Sequence, residues 1–368
     1  MDIAVLIEWI AKSAILIFIL LTGFAYTTYY ERRLLALIQN RVGPNRAGPF
    51  GLLQPVADGV KLIFKEELTP AGAYKAIFLL SPILTMVPAL VIMAVVPWGE
   101  SINLFGREIF LGLTDINVGV LYLLSIASIS VYGIVLAGWS SNNKYAMLGG
   151  IRSSAQMISY ELALGLAFVP SIMMAGSLSL LDIVRQQGDG FYLWSLLGII
   201  EGGQTGGWFI FTIPGLFGAA IFYIAMLAEV NRAPFDMPEA EQELTAGYHT
   251  EYSGMKFALF FMGEYIKMIA VSAIFSTLFL GGFSGPGVYE STIPFMGITI
   301  GPWPILGPIY LGLKIVASLG LMIWIRATFP RLRYDRLMGF GWKVLLPLAL
   351  ANVFLTAIWV IIFQGFTG

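Results

Sequence analysis

Residues 257–280 read FALFFMGEYIKMIAVSAIFSTLFL, a run broken only by Glu264 and Lys267 as charged groups. A helix rises 1.5 Å per residue, so about 20 apolar residues cross a hydrocarbon core of roughly 30 Å. A tilted membrane strand needs about half that length, so the run predicts a spanning helix. Seven further runs of the same kind cover 7–30, 76–97, 118–139, 153–175, 208–228, 309–325 and 342–363. The expected fold is an all-α membrane protein with eight transmembrane helices, a single integral membrane domain over 1–368.

Composition agrees. Of 368 residues 58% are hydrophobic and 12% charged, with a mean hydropathy of +0.81, outside the range of an ordinary soluble domain. A net charge of -1 offers no attractive field to nucleic acid. The chain has no cysteine and one histidine, His249. Thiolate-held iron–sulfur clusters, cysteine-held zinc, disulfides and paired axial haem ligands are thereby excluded. No metal site is expected, and any redox centre working with this chain belongs to another subunit. The first apolar run is too long for a signal peptide and leads into ERR without a small-residue cleavage site.

Orientation follows from the basic residues. Of the 21, Lys12, Arg107 and Arg185 fall on one side and Lys267 and Lys314 inside spans; the remainder gather in the first, third, fifth and seventh loops. Those loops are expected to face the cytoplasm, with both termini outside. Paired broken helices and internal repeats, marks of many secondary transporters, are not evident.

In the first cytoplasmic loop, 31–75, the glycines and prolines of 43–49 impose a turn. Over 51–67, Leu52, Leu53, Val56, Val60, Ile63 and Phe64 fall at helical spacing opposite Gln54, Asp58, Lys61 and Lys65. This predicts an interfacial amphipathic helix. It is either a simple connector or the floor of a cavity for a lipid-soluble ligand.

Acids inside spans cost at least roughly 2.5 to 3.5 kcal/mol and so need a partner or a function. Glu161 has no basic residue within four positions on its helix, which favours a function. Glu264 and Lys267 stand at i,i+3 and could neutralise each other. Lys314 sits near the end of its span and could snorkel outward. The loop 229–256 gathers Glu229, Asp236, Glu239, Glu241, Glu243 and Glu251 against Arg232. Asp236, Pro238 and Glu239 suit the start of a short helix, whereas Glu239 and Glu243 repel at i,i+4. Interleaved Phe235, Tyr248, Tyr252 and Phe257 favour a packed, partly helical loop with coupled acids over a merely solvated one.

Four stretches carry a resemblance: ERRLLALIQNRVGPNRAGPFGLLQPVADGVKLIFKEE (31–67), GGIRSSAQMISYE (149–161), EVNRAPFDMPEAEQELTAGYHTEYSGMKF (229–257) and WIRATFPRLRYDRLM (324–338) with GWK (341–343). Together they resemble the H-type membrane subunits of proton-pumping NADH:quinone oxidoreductase, respiratory complex I, whose mitochondrial counterpart is NADH dehydrogenase subunit 1. The resemblance implies a strongly tilted first helix and a place between the electron-transfer arm and the membrane arm. It implies a tunnel built with B- and D-type subunits, along which quinone, ubiquinone or menaquinone, travels. The A-, J- and K-type membrane subunits would be further partners; flavin and iron–sulfur clusters would lie on partner subunits, so that this chain binds no cofactor by itself.

By match of motif, Glu31, Arg32, Arg41, Arg46, Ala57 and Asp58 would line or support the tunnel. Glu161, Glu229, Asp236, Glu239, Glu241, Glu243, Glu251 and Glu264 would couple quinone chemistry to proton movement, with Arg326 and Arg331 beside them. Lys267 and the long segment 186–207 depart from the family pattern. The readings that compete are the membrane subunit of an energy-converting hydrogenase and a free-standing ion transporter; either way the chain would sit in a bacterial inner membrane.

Overall fold

A computed structural model describes residues 3–104, 107–188, 207–236, 247–285, 288, 291–293, 298–300 and 303–363. The long helices are α1 (Ile3–Ile38), α3 (Lys75–Ile92), α4 (Gly119–Ser140), α5 (Lys144–Ala175), α7 (Ile213–Glu229), α8 (Gly254–Phe279), α9 (Leu306–Thr328) and α11 (Leu346–Phe363). Between them lie α2 (Gln54–Phe64), α6 (Leu180–Gln187) and α10 (Tyr334–Phe340). Two short antiparallel hairpins, β1 (Ser101–Leu104) with β2 (Arg107–Phe110) and β3 (Ser291–Ile293) with β4 (Ile298–Ile300), are the described strands.

Seven of the described helices are long and apolar enough to cross a membrane. The run predicted at 208–228 supplies α7, 17 residues long, at the lower limit for crossing. A 3₁₀ turn, Phe209–Phe211, and the Thr212 side chain, which accepts from Gly215 N at 3.1 Å, set its start.

The helices assemble around α8, the most buried of the long ones, with 72% of its apolar window inside the protein. It packs on α3, α9, α1 and α7, while α5 bridges α4, α7 and α11. Small residues let backbones approach: Gly138 of α4 lies so close to Ala146 O and the Gly150 Cα of α5 that a Cβ there would overlap them. Outward faces are apolar and uncovered, as at Phe18 and Ile10 of α1 and Phe354 and Ile361 of α11. That is the surface a lipid-facing helix presents.

Two local expectations change. The helix of the run predicted at 7–30 continues to Ile38, because ERRLLALI contains no helix breaker and the first stop is at Gly43–Pro44. The run predicted at 342–363 begins with a π turn, Gly341–Leu345, after α10.

Candidate site: a chain of buried acids around α8

Glu31 belongs to a buried stripe on α1, Leu20, Thr27 and Glu31, spaced seven and four residues apart. Its carboxylate is 3% exposed and meets three donors from three other segments. Tyr265 Oη of α8 donates at 2.7 Å, Arg232 Nη1 donates at 3.3 Å, and Arg326 Nη1 of α9 donates as well. The Arg232 guanidinium also lies over the Tyr265 ring, 4.4 Å from its centroid. Burial works against the charge of Arg232, but Tyr265, Glu31 and Glu264 outweigh it and hold the group above the ordinary arginine value.

Successive residues on a helix diverge by about 100°. Arg32 therefore turns away from Glu31 toward α2, where its Nη1 donates to Asp58 Oδ2 at 2.6 Å; Gln54 Nε2 donates to Asp58 Oδ1 at 3.1 Å. Ala57 is exposed on α2, Arg46 is exposed, and Arg41 Nε donates to Gln39 Oε1 at 2.7 Å. No residue of α2 is buried, and Phe64 is 83% exposed. The six residues predicted for one tunnel thus divide: Glu31 joins the acids and arginines inside, Arg32 and Asp58 pair between α1 and α2, and Ala57, Arg41 and Arg46 are exposed.

Deeper along α8, Glu229 and Lys267 are both buried and line one small internal cavity of about 30 Å³. Glu229 Oε2 has no hydrogen-bond partner among the described residues. Glu161 accepts from Ser128 Oγ of α4. Glu264 accepts from Tyr248 Oη at 2.9 Å, and no ion pair joins it to Lys267 within 4 Å among the described residues. The direct ion pair that i,i+3 spacing allows is therefore not the arrangement found; Lys267 is directed to the cavity, where Glu264 still acts on it through space, and Glu264 to the 247–249 turn.

The ends of the acidic loop are pinned. Gln156 Nε2 of α5 donates to Ala228 O at 3.0 Å and Phe235 O at 2.7 Å, fixing the turn that leaves α7. Asp236 is buried and accepts from Arg331 Nη2 at 3.0 Å. At the far end Tyr248 and His249 are buried against Phe260, and Asn143 Nδ2 donates to Glu251 Oε1 at 2.6 Å. These ends are packed, as the interleaved aromatics suggest. Glu239, Glu241 and Glu243, with the helix start expected at Pro238, lie outside the described residues, as does 189–206 of the long segment.

One close contact gives a test of this packing. A Cβ on Gly149 of α5 would stand 2.7 Å from Gly247 Cα and 2.8 Å from Tyr248 N, both backbone. Gly149→Val should push the turn away, break the Tyr248–Glu264 bond and destabilise by roughly 1–3 kcal/mol. Gly165→Ala, with nothing nearer than Leu124 Cδ1 at 3.9 Å, should be neutral. Equal melting temperatures of the two variants would refute the contact.

Lys314, expected to snorkel, instead turns inward: its Nζ donates to Leu280 O, Gly282 O and Ser284 O at 2.6, 2.7 and 2.8 Å and lies 4.4 Å from the Trp208 ring centroid. Carbonyls left open at the end of α8 are nearer and better partners than distant water. Tyr265, Ser128 and Gln156 carry no role in the sequence reading, and Tyr248 enters it only as one of the loop's packing aromatics; Tyr248 and Gln156 sit within motifs that draw attention through their charges, and Tyr265 directly follows Glu264. Among the described residues no group of three His, Cys, Asp or Glu side chains could hold a metal ion.

Comparison with known proteins agrees with this architecture. The family model for NADH dehydrogenase matches residues 11–357. An H-type NADH-quinone oxidoreductase subunit of Geobacter sulfurreducens is 49% identical over 354 residues, 96% of each chain. Its counterpart in Thermomicrobium roseum is 50% identical over 344 residues, 94% of this chain and 93% of the relative. That of Protochlamydia amoebophila is 48% identical over 336 residues, 91% of this chain and 92% of the relative. A match of this length and identity leaves one assignment: the chain belongs to the NADH dehydrogenase family, alongside the H-type subunits of bacterial NADH-quinone oxidoreductases.

Proposed function

We propose that this chain is the membrane subunit that guides quinone into a proton-translocating NADH:quinone oxidoreductase of a bacterial inner membrane and converts quinone reduction into proton movement. The observation that carries the reading is the series of buried Glu31, Glu264 and Glu229 with half-buried Glu161 around α8, beginning beside an amphipathic helix whose apolar face is uncovered. A fully polar substrate would have no use for that face; a quinone tail gains by burying apolar area there. The names of the relatives favour quinone over a hydrogenase partner.

In this mechanism quinone enters from the bilayer between α1 and α8 and passes over α2. Asp58 and Arg32 hold α2 to α1, with Ala57 leaving room and Arg41 and Arg46 at the polar rim. Electrons arrive from flavin and iron–sulfur clusters on partner subunits, and reduction occurs where B- and D-type subunits complete the tunnel. A change of charge at that end acts on Glu31 and its arginines, because in a low-dielectric site one charge alters the proton affinity of its neighbours strongly. The acids Asp236, Glu239, Glu241, Glu243 and Glu251 of the loop, and Glu229, Glu264 and Glu161 inside, then exchange protons toward the A-, J- and K-type membrane subunits. Arg326 and Arg331 hold Glu31 and Asp236 in place. Both termini lie outside, with the acidic loop facing the cytoplasm.

Glu161→Gln keeps the shape of the side chain and removes its proton exchange. It should lower quinone reduction coupled to pumping on the order of tenfold or more, while NADH oxidation by artificial acceptors continues. Undiminished pumping in inverted vesicles would remove Glu161 from the path.

A further inference from the structure

Lys267 is 5% exposed and lies near the middle of α8, yet it meets no carboxylate within 4 Å among the described residues. Buried charges ordinarily have close partners, because a lone ammonium in an apolar surrounding is costly. The charged groups facing it are Glu229 from α7, Glu161 from α5 and Glu264 one turn back on its own helix. From α3 and α4 the cavity receives only apolar side chains, among them Ile92, Leu123 and Ala127. Glu229 reaches the same cavity with Oε2 unpartnered. The volume of about 30 Å³ has room for about two water molecules, and in a lining that is otherwise apolar Lys267 and Glu229 are the two polar side chains a water there could bridge.

We propose that Lys267 and Glu229 form a water-bridged proton-exchange pair, which makes Lys267 a proton-carrying member of the acid series. The inference rests on the proposed coupling role of that series. In the exchange an Nζ–H bond breaks, the bridging water takes that proton and gives one of its own to Glu229, and an O–H bond forms on the carboxyl. An ammonium and a carboxylate become an amine and a carboxylic acid, so the net charge of the cavity does not change. The hop therefore avoids the cost of creating an uncompensated buried charge. Glu264, one turn from Lys267, favours the charged pair when ionised; Glu161, facing both members, responds to which form is present.

A fixed counter-ion role makes different predictions. Arginine keeps the charge but does not give up its proton in a protein. In the intact complex reconstituted in vesicles, Lys267→Arg and Lys267→Met should both lower quinone-coupled proton uptake on the order of tenfold, with NADH:ferricyanide activity and subunit content unchanged. The double variant Glu229→Gln/Lys267→Met should remain as impaired as the single ones. Normal uptake in Lys267→Arg, or recovery in the double variant, would overturn the pair. If the variants do not assemble, infrared difference spectra of the wild-type complex decide: a protonated-carboxyl band should accompany quinone reduction and exchange with heavy water, and its absence would overturn the pair. Loss of uptake in Lys267→Arg with full pumping in Glu161→Gln would keep the pair and count against the Glu161 path.

Discussion

Glu31→Ala should disable assembly or sharply lower the melting temperature of the complex. The substitution removes the one carboxylate shared by Arg232, Arg326 and Tyr265 and leaves Arg232, whose side chain is 11% exposed, without its ion-pair partner and with only the more distant Glu264 to offset its charge. Breaking a buried ion pair by deleting one partner costs about 3–5 kcal/mol. The effect should be larger than that of Arg32→Ala, one residue away, whose pair with Asp58 is half exposed and belongs to the class worth about 0–1 kcal/mol. Differential scanning calorimetry of the two purified variants makes the comparison, and similar melting temperatures would refute the assignment of Glu31 as the buried hub.

Lys314→Met is the second large effect. A lysine ammonium has three N–H donors, and here each meets a separate carbonyl at the end of α8. That end also depends on left-handed backbone at Gly281 and Gly282, φ 70° and 51°, and on Gln187, which accepts from Gly281 N and donates to Thr277 O, both at 2.8 Å. Methionine fills the space of lysine and strands the three acceptors, at about 1–3 kcal/mol for each that finds no water. Lys314→Arg should rescue only in part, since a planar fork cannot aim at three carbonyls set around a point. Trypsin sensitivity and thermal stability of the protein in membranes check both, and a Met variant as stable as wild type would show the cap to be dispensable.

Most of the fold is legible in the sequence because membrane spans are long and their physics is one-dimensional: 257–280 and 118–139 return as α8 and α4 nearly residue for residue. The amphipathic stripe 51–67 returns as α2 for the same reason. Sequence reading fails where local preference and distant packing compete. The apolar run 7–30 marks where the chain is oily and not where its helix stops, since a helix can leave the membrane without ending, so the length of α1 is underestimated. Spacing puts Glu264 next to Lys267, but the tyrosine that binds Glu264 comes from a turn held by Gly149 of another helix, a relation no window of sequence contains. Lys314 is placed correctly and aimed wrongly, since its acceptors are carbonyls about 30 residues away. The charged members of the series stand out because charge is rare in such a chain; the neutral donors Tyr265 and Ser128 do not, and Tyr248 stands out only as an aromatic and not as a donor.

The divergence of Glu31 and Arg32 on α1 has an evolutionary reading. One helix turns its consecutive residues toward two unlike surroundings, a largely buried cluster with Arg232 and Arg326 and the exposed helix α2. A single inserted residue between Leu20 and Glu31 would carry Glu31 about 100° around the axis and present its neighbour to the cluster in its place. The spacing along this part of α1 is thus a reading frame in three dimensions: substitutions on its lipid-facing side are free to accumulate, while changes of length are not.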